Sequence, residues 1–413
     1  MRSVAYIVIS LMPIAVWAQG LSLGECIEKA YDNYPAVRQY GLIERTRDYN
    51  LSNAAKGWLP QIGLSAGAFA FTDIIDSDVQ DNMGVSVKNH LLNASVSISQ
   101  SIYDGGQTAA ARGVTRAQAE VERRQLDVTM YDIDERVQQI FFGLLLIDEQ
   151  IRQNLLLQED LEISYKSVES MLDGGVANQS DLDAVKVEQI RVQQQEGALR
   201  SSRKAYLRML GVMIGENIPE ETSLSLPDTG QPADGDGTAR PEISFFKAQE
   251  NLLDKQRKQL NARLRPTISA LAVGLTHNSV TDIMNNSLLI GGISLSWNFG
   301  ALYTRKNDIR KLETQRLTID SQRETFLFNT KLDYEDSNGA IETLKSQIRQ
   351  DEEIVSLRES IRSKSERKVQ AGTESVNEML RDINAVSQSR QQKALHEIQL
   401  LKELYNLKHI IGL

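Results

Sequence analysis

Residues 133–151 read IDERVQQIFFGLLLIDEQI, and within them Ile133, Val137, Ile140, Leu144, Ile147 and Ile151 follow one another at intervals of 4, 3, 4, 3 and 4. A 3.5-residue period keeps one apolar stripe turned toward a partner helix, so the stretch reads as a coiled-coil seam. After polar Asn154 and Gln158 the same phase resumes at Leu161, Tyr165, Val168 and Leu172. No proline interrupts the chain from Asp104 to Leu172, and at ~1.5 Å per residue an unbroken helix there would be ~100 Å long. A compact globular domain has no use for such a rod; a structural coiled coil or a helical wall does.

Downstream, Asp173-Gly174-Gly175 ends the helix, since glycine accepts the positive φ of a helix terminus. A second seam follows at Leu182, Val185, Val192, Leu199, Tyr206 and Leu210, with Gln189, Glu196 and Arg203 filling its gaps. The short turn makes the two helices antiparallel neighbours, a helical hairpin. Residues 212–240 are rich in Pro, Gly, Asp and Glu and read as a linker.

Upstream, Ser22 to Lys56 reads as one helix with Ile27, Ala30, Tyr31 and Tyr34 on a face, stopped at Leu59-Pro60. The period then changes from 3.6 to 2. Ile62, Leu64, Ala66, Ala68 and Ala70 alternate with Gln61, Gly63, Ser65 and Gly67, and Val96, Ile98 and Ile102 alternate with Ser95, Ser97, Ser99 and Ser101. These are strands with one apolar face and one face of small polar residues. Asp73 to Asn82, between them, is a polar loop, and Asp104-Gly105-Gly106 separates the second strand from the long helix.

The plan then recurs. Pro35 and Pro60 are 25 residues apart, as are Pro241 and Pro266, and Ile268, Ala270 and Ala272 open a third strand. Leu289, Ile293, Leu295, Trp297 and Phe299 set against Ser294, Ser296 and Asn298 make a fourth. A long helix from Leu302 to Val369, with Ile341, Leu344 and Ile348 on its seam, turns at Ala371-Gly372-Thr373 and returns over Val376 to Ile411. Matching landmarks are offset by 206 for both proline pairs, 197 for Gly175 and Gly372, and 201 for Gly211 and Gly412, which indicates tandem duplication. The expected organisation is residues 1–18 as a leader, 19–211 as the first repeat, 212–240 as a linker and 241–413 as the second repeat. Strands are expected at about residues 59–72, 91–103, 265–277 and 288–299, so the fold class is mainly α with a small β part.

The 413 residues carry a net charge of −9 spread along the chain, so no basic face offers itself to nucleic acid. Met1 to Ala18 has the form of a secretory signal: Arg2, an apolar run from Val4 to Val16, and Val16-Trp17-Ala18 before Gln19. No later run reaches the roughly 18 apolar residues of a membrane-spanning helix. Cys26 is the only cysteine, so no internal disulfide forms; Glu25 before it is wrong for a lipid anchor, and a buried thiol is expected.

Strands with an apolar and a small polar face suit a barrel with a lipid-facing outside and a wet lumen, and they also suit a half-buried sheet in a soluble domain. Four strands cannot close a membrane barrel alone, because an open edge in lipid leaves backbone groups unpaired at several kcal/mol each. If they span a membrane, two, three or four chains must supply eight, twelve or sixteen strands.

The chain resembles the TolC-like outer-membrane efflux proteins over nearly all of its length after the leader. The resemblance is carried by Tyr34-Pro35 through Leu59-Pro60, Ser99 to Gly106, Gly175 to Leu182 and Leu210-Gly211, with Arg265-Pro266, Trp297 to Gly300, Gly372 to Leu380 and Ile411-Gly412 in the second half. It implies a homotrimer whose twelve strands form one barrel in outer-membrane lipid, continued by a periplasmic α-helical barrel. It also implies a passive duct docked to a periplasmic adaptor and an inner-membrane pump. The family's tunnel narrows at the hairpin tips, where acidic residues following the turns ring the constriction; the matching positions are Asp181 and Glu378, with Asp183 beside them. Arg381 departs from the pattern, placing positive charge where some relatives have a second acid. The same acids also suit a helix N-terminus as dipole partners.

Enzymatic chemistry has no constellation here. His90, His277, His396 and His409 are scattered and read as surface residues, Gly105-Gly106 and Gly174-Gly175 lack the Lys and Ser/Thr of a phosphate loop, and Asp234-Gly235-Asp236-Gly237 is a fragment of a calcium loop at best. No enzyme, metal or cofactor is expected. The alternative to a conduit is a secreted or periplasmic coiled-coil scaffold, which would be soluble without detergent.

Overall fold

The computed structural model describes residues 20–70, 90–227, 235–277 and 287–413. The leader, the loop from Asp73 to Asn82 and residues 228–234 of the linker, including Asp234, lie outside the described residues.

Helix α1 (Leu23–Asn33) starts at a capping box in which Ser22 Oγ accepts from the Glu25 amide and Glu25 Oε2 accepts from the Ser22 amide. The single helix expected over Ser22 to Lys56 is two. Pro35 forces Tyr34 into an extended conformation (φ −64°, ψ 128°), a 3₁₀ turn covers Pro35–Val37, and α2 (Arg38–Lys56) resumes beyond it. Two strands follow, β1 (Gln61–Ala70) and β2 (His90–Tyr103), then α3 (Gln107–Asp173) and α4 (Gln179–Ile214). The second half gives α5 (Pro241–Ala262), β3 (Thr267–His277), β4 (Ser287–Ser296), α6 (Ala301–Gln370) and α7 (Val376–Ile411). β4 stops short of the expected Phe299 because Asn298 Oδ1 accepts from the Gly300 amide at 2.8 Å, a local turn that competes with the strand.

The chain forms two compact units: one of residues up to Val37 with Met130–Gly237 and Thr330–Leu413, the other of Arg38–Thr129 with Thr238–Asn329. α3 and α6 each contribute to both.

In the first unit the α3 seam is the core. Ile133, Val137, Leu144, Ile147, Leu161 and Val168 are buried, and Leu161 and Val168 share one cluster with Leu182, Val185 and Val192 of α4. The polar residues that interrupt both seams are matched across the hairpin. Asn154 Nδ2 donates to the Val192 carbonyl at 3.1 Å, Gln158 Nε2 to Glu196 Oε2 at 2.7 Å and Gln189 Nε2 to Glu162 Oε2 at 3.1 Å, and Arg203 pairs with Asp148. Each such pair is satisfied only in one register of the two helices, which is what polar seam positions contribute. Gly143 lies so close to the Tyr206 ring that a Cβ there would sit 2.5 Å from it.

Helix α4 ends at Gly215 (φ 75°), where Asn33 Nδ2 donates to the Val212 and Met213 carbonyls at 3.0 and 3.1 Å. The terminating glycine is Gly215 and not Gly211, so Gly215 and Gly412 are 197 residues apart, the same interval that separates Gly175 from Gly372. The sequence offset of 201 came from pairing Gly412 with a glycine inside the helix. Cys26 is fully buried, and burial pushes its thiol up to about 12. Two histidines expected at the surface are packed: His409 stacks on Tyr131 with ring centroids 4.2 Å apart, and His396 Nδ1 lies 2.6 Å from Asp351 Oδ2.

In the second unit Tyr40 donates to Asp127 at 2.7 Å, Arg323 pairs with Glu250 at 2.8 Å, and the Phe246 and Phe326 rings lie 6.1 Å apart. Its sheet is antiparallel throughout, in the order β1-β2-β3-β4, and the β2–β3 pairing joins the two halves of the sequence.

One carboxyl in the first unit is poorly accommodated. Asp134 on α3 has Oδ1 buried without a hydrogen-bond partner, and burial pushes the group up to about 6 despite the Tyr31 hydroxyl. The folded chain thus keeps this proton between roughly pH 4 and 6, where the unfolded chain releases it, so stability falls as pH rises through that window. Asp134→Asn is expected to raise stability by about 1 kcal/mol at about pH 8, with partial exposure allowed for, and to leave it unchanged near pH 4. Thermal midpoints of detergent-solubilised protein at the two pH values check this.

Candidate functional site: an open-edged sheet and two hairpin tips

The sheet has two unlike faces in register. Ile62, Leu64 and Ala66 pair with Ile98, Val96 and Ala94, and these with Ala272, Gly274 and Thr276, all on one side. On the other side Gln61, Gly63 and Ser65 pair with Ser99, Ser97 and Ser95, and the Ser65 and Ser95 hydroxyls are 2.7 Å apart. Ile62, Leu64, Leu289 and Ile293 are each 74–80% exposed on the apolar side. Such a surface in water is unstable, and in lipid it is the expected outside of a barrel.

Among the described residues β1 and β4 each pair on one side only, leaving two rows of backbone donors and acceptors. At the helix-proximal ends of the strands Trp58, Tyr103, Trp297 and Phe299 are exposed. Trp297 and Phe299 pack at 4.8 Å, and Trp297 Nε1 donates to the Leu264 carbonyl at 3.0 Å. Amphipathic rings gathered at one end of the strands are the pattern of a membrane interface. No described helix is long and apolar enough to cross a membrane.

The hairpin tips in the first unit are built twice by the same rules. At the first, Val176 N donates to Met171 O at 2.8 Å and Gly175 N to Leu172 O at 3.0 Å; at the second, Thr373 N donates to Lys368 O and Gly372 N to Val369 O, both at 2.9 Å. This six-to-one and five-to-two pairing needs a left-handed residue, supplied by Gly175 (φ 74°) and Gly372 (φ 70°). Gly174, expected to share that role, has no positive φ.

Asp181 and Glu378 occupy the third position of α4 and α7, and each closes a capping box. Asn178 Oδ1 accepts from the Asp181 amide and Asp181 Oδ2 from the Asn178 amide, both at 3.1 Å. Glu378 Oε2 accepts from the Ser375 amide at 3.1 Å and hydroxyl at 2.9 Å, and these bonds hold its carboxyl below the usual range, with Arg381 adding a smaller attraction. Asp183 accepts from Gln179 Nε2 at 2.8 Å, and Arg381 is exposed one turn beyond Glu378. The two tips lie side by side, since a Cβ on Gly372 would be 3.8 Å from Val176 Cγ1. One cluster, with Leu161, Val168, Leu182, Val185, Val369, Met379 and Ile383 among its members, supports both tips.

The caps Asn178 and Ser375 were not singled out from sequence as the partners of these acids, although the spacing of a capping box carries the signal. No local signal announces the ion cluster beneath the tips, where Arg362 donates to both Asp160 oxygens at 2.6 and 2.8 Å across 202 residues of chain. Among the described residues no group of His, Cys, Asp or Glu could hold a metal.

The described chain thus combines an open-edged antiparallel sheet of four strands with two long helical hairpins. The family model described as "Outer membrane efflux protein" matches residues 26–216. The structure of CusC is similar over 98% of this chain and 95% of its own, with a TM-score of 0.71 and 14% identity. A membrane protein from Pseudomonas aeruginosa matches over 100% and 96% (TM-score 0.69, 11% identity), and VceC from Vibrio cholerae over 94% and 96% (0.67, 12%). At these identities the likeness is one of fold, and it spans both halves of the chain. No curated protein sequence matches it.

Ser375→Ala removes the hydroxyl that bonds both the amide and the carboxylate of Glu378. Exchange of the backbone amides at residues 376–379 is expected to accelerate roughly fivefold, the usual consequence of losing an N-cap. Hydrogen exchange read by mass spectrometry would show it, and the 179–182 amides at the other tip should stay unchanged.

Proposed function

We propose that the protein is the outer-membrane duct of a tripartite efflux or type I secretion system, acting as a homotrimer that passively conducts cargo delivered by a periplasmic adaptor and an inner-membrane pump. The observation that carries this reading is the pair of free edges on β1 and β4. In an antiparallel sheet of four strands the outer two run in opposite directions, so β4 of one copy can pair antiparallel with β1 of the next. Copies related by a rotation axis then close a barrel with no edge left in lipid. Three copies give twelve strands, the number that the resemblance implies. The family is an outer-membrane one, and the long hairpins then extend the duct on the periplasmic side.

At the tips, six carboxylates from three copies of Asp181 and Glu378 would ring the mouth, with Asp183 near them and Arg381 reducing the net charge. Such a ring favours cations. Because both acids also cap helices, the informative variant removes charge while keeping an acceptor oxygen. Asp181→Asn with Glu378→Gln is expected to shift the reversal potential in bilayers under a KCl gradient toward zero, with little change in thermal stability. An unmoved reversal potential would remove the acidic ring from the account.

The reading as a whole is tested by native mass determination of the detergent-extracted outer-membrane fraction. Three chains are expected. A monomer or dimer that is soluble without detergent would refute the duct and leave the coiled-coil scaffold.

A further inference from the structure

The charge of the chain is less evenly spread than the sequence suggests. Overall, 55 Asp and Glu outweigh 46 Lys and Arg, but the helix ends that flank β3 and β4 reverse the sign. Residues 254–265, which close α5 and lead into β3, and residues 301–311, which open α6 after β4, hold nine Lys or Arg against two Asp. Farther from the sheet, over residues 241–253 and 312–329 of the same helices, the count is three against five. The cations there are paired: Arg323 meets Glu250 at 2.8 Å and Asp320 at 3.0 Å, and Arg316 reaches back to Asp254 at 3.4 Å. Near the sheet they are not. Arg257, Lys258, Arg263, Lys306, Arg310 and Lys311 are exposed, and among the described residues none of them forms an ion pair. The matching stretches of the first half, residues 48–59 and 107–117, carry only three Lys or Arg and one Asp.

Exposed like charges gathered this closely repel one another, and an anionic surface laid over them removes the penalty. The neighbours of the cluster say which kind of anion. Trp297 Nε1 donates to the carbonyl of Leu264, the residue between Arg263 and Arg265, and Arg305 donates to Asn261 Oδ1 at 3.4 Å. The cations therefore sit beside the aromatic rings that end the sheet, next to the apolar face of Ile293 and Leu295. A soluble polyanion such as nucleic acid gains nothing from rings and an apolar wall. An anionic lipid is matched by all three, with acyl chains on the wall, rings at the interface and phosphate on the cations. Between α5 and α6 lies a cleft of about 310 Å³, lined by Arg263, Gln256 and Gln259 on one side and Lys311, Asp308 and Gln315 on the other. Its two cations face one carboxylate, and its amides offer further donors.

We propose that the cations of residues 257–265 and 305–311 form a binding belt for anionic phospholipid headgroups in the leaflet on the helix side of the sheet, with the Arg263 and Lys311 cleft as its most specific seat. The proposal rests on the duct reading above, which places the sheet in lipid, and adds a lipid partner to it. Long Lys and Arg side chains reach the phosphate level from a turn or two away while their stems cover apolar surface.

The test is lipid retention. The full chain is reconstituted into vesicles of equal parts phosphatidylglycerol and phosphatidylcholine, re-extracted in mild detergent, and its bound lipid counted by mass spectrometry. The wild type should retain roughly fivefold more phosphatidylglycerol than phosphatidylcholine in about 0.05 M NaCl, and lose most of that preference in about 0.5 M, where charges are screened within roughly 4 Å. Arg263→Gln with Lys306→Gln and Lys311→Gln should lower the preference roughly threefold. Arg263→Lys with Lys311→Arg, which keeps the charge, should hold it, and so should Arg191→Gln with Arg200→Gln, which removes exposed cations from α4. If the triple variant does not assemble, Lys311→Gln alone decides and should lower the preference by about half. Equal retention of the two lipids by the wild type, or an unchanged preference in the variants, would overturn the proposal. An unchanged preference with a shifted reversal potential under a KCl gradient would overturn it by placing the cations in the lumen. A wild type that does not enter vesicles at all would instead overturn the duct reading.

Discussion

The backbone amides and carbonyls along the free edges of β1 and β4 set the terms for the rest of this protein. In water those groups would be solvated, but the apolar face beside them, with Leu64 and Leu289 almost fully exposed, is unfavourable there. In lipid the apolar face is satisfied and the edges are not. Under the proposed duct reading, pairing with further copies of the same sheet meets both demands, and symmetry completes what one chain begins.

The long helices answer a different problem, that of holding register over roughly 100 Å with a seam two helices wide. A purely apolar seam slides by a heptad at little cost. Asn154, Gln158, Gln189 and Arg203 break that degeneracy, because each finds its partner across the hairpin at one alignment only. Near the tips Arg362 does the same between α6 and α3 through a bidentate pair with Asp160. Its value lies in specifying which residues meet, since the desolvation of a mostly buried ion pair offsets much of its attraction.

Much of this was legible in the sequence because periodicity and punctuation are local. The 3.5-residue seam gave α3 and α4, the alternation of Ile62 to Ala70 gave β1, and Gly175 and Gly372 marked the turns with the φ they need. What escaped was set by single residues acting against a pattern, or by contacts distant in sequence. Pro35 divided a continuous helical pattern at Tyr34. Gly211 imitated a helix end that belongs to Gly215, because only the structure shows Asn33 folding over the true terminus. At the candidate site the positions of Asp181 and Glu378 were readable, while their attachment to Asn178 and Ser375 was visible only once the helix starts were fixed. β3 opens with the expected alternation at Thr267 and Ser269, and Leu271 and Val273 then depart from it.

The central pairing of the sheet has a consequence for how the protein is made. β2 and β3 lie side by side, yet Ser97 and its partner Val273 are 176 residues apart, with the whole first hairpin between them. Local contacts form early and distant ones late, because the loop must close before the contact is rewarded. The first hairpin can form as soon as its own residues are synthesised, but β2 waits for the second half of the chain to supply its partner β3. A truncated product therefore carries β1 and β2 with no β3 to join. Completion of the sheet is in effect conditional on complete synthesis, a form of quality control written into strand order.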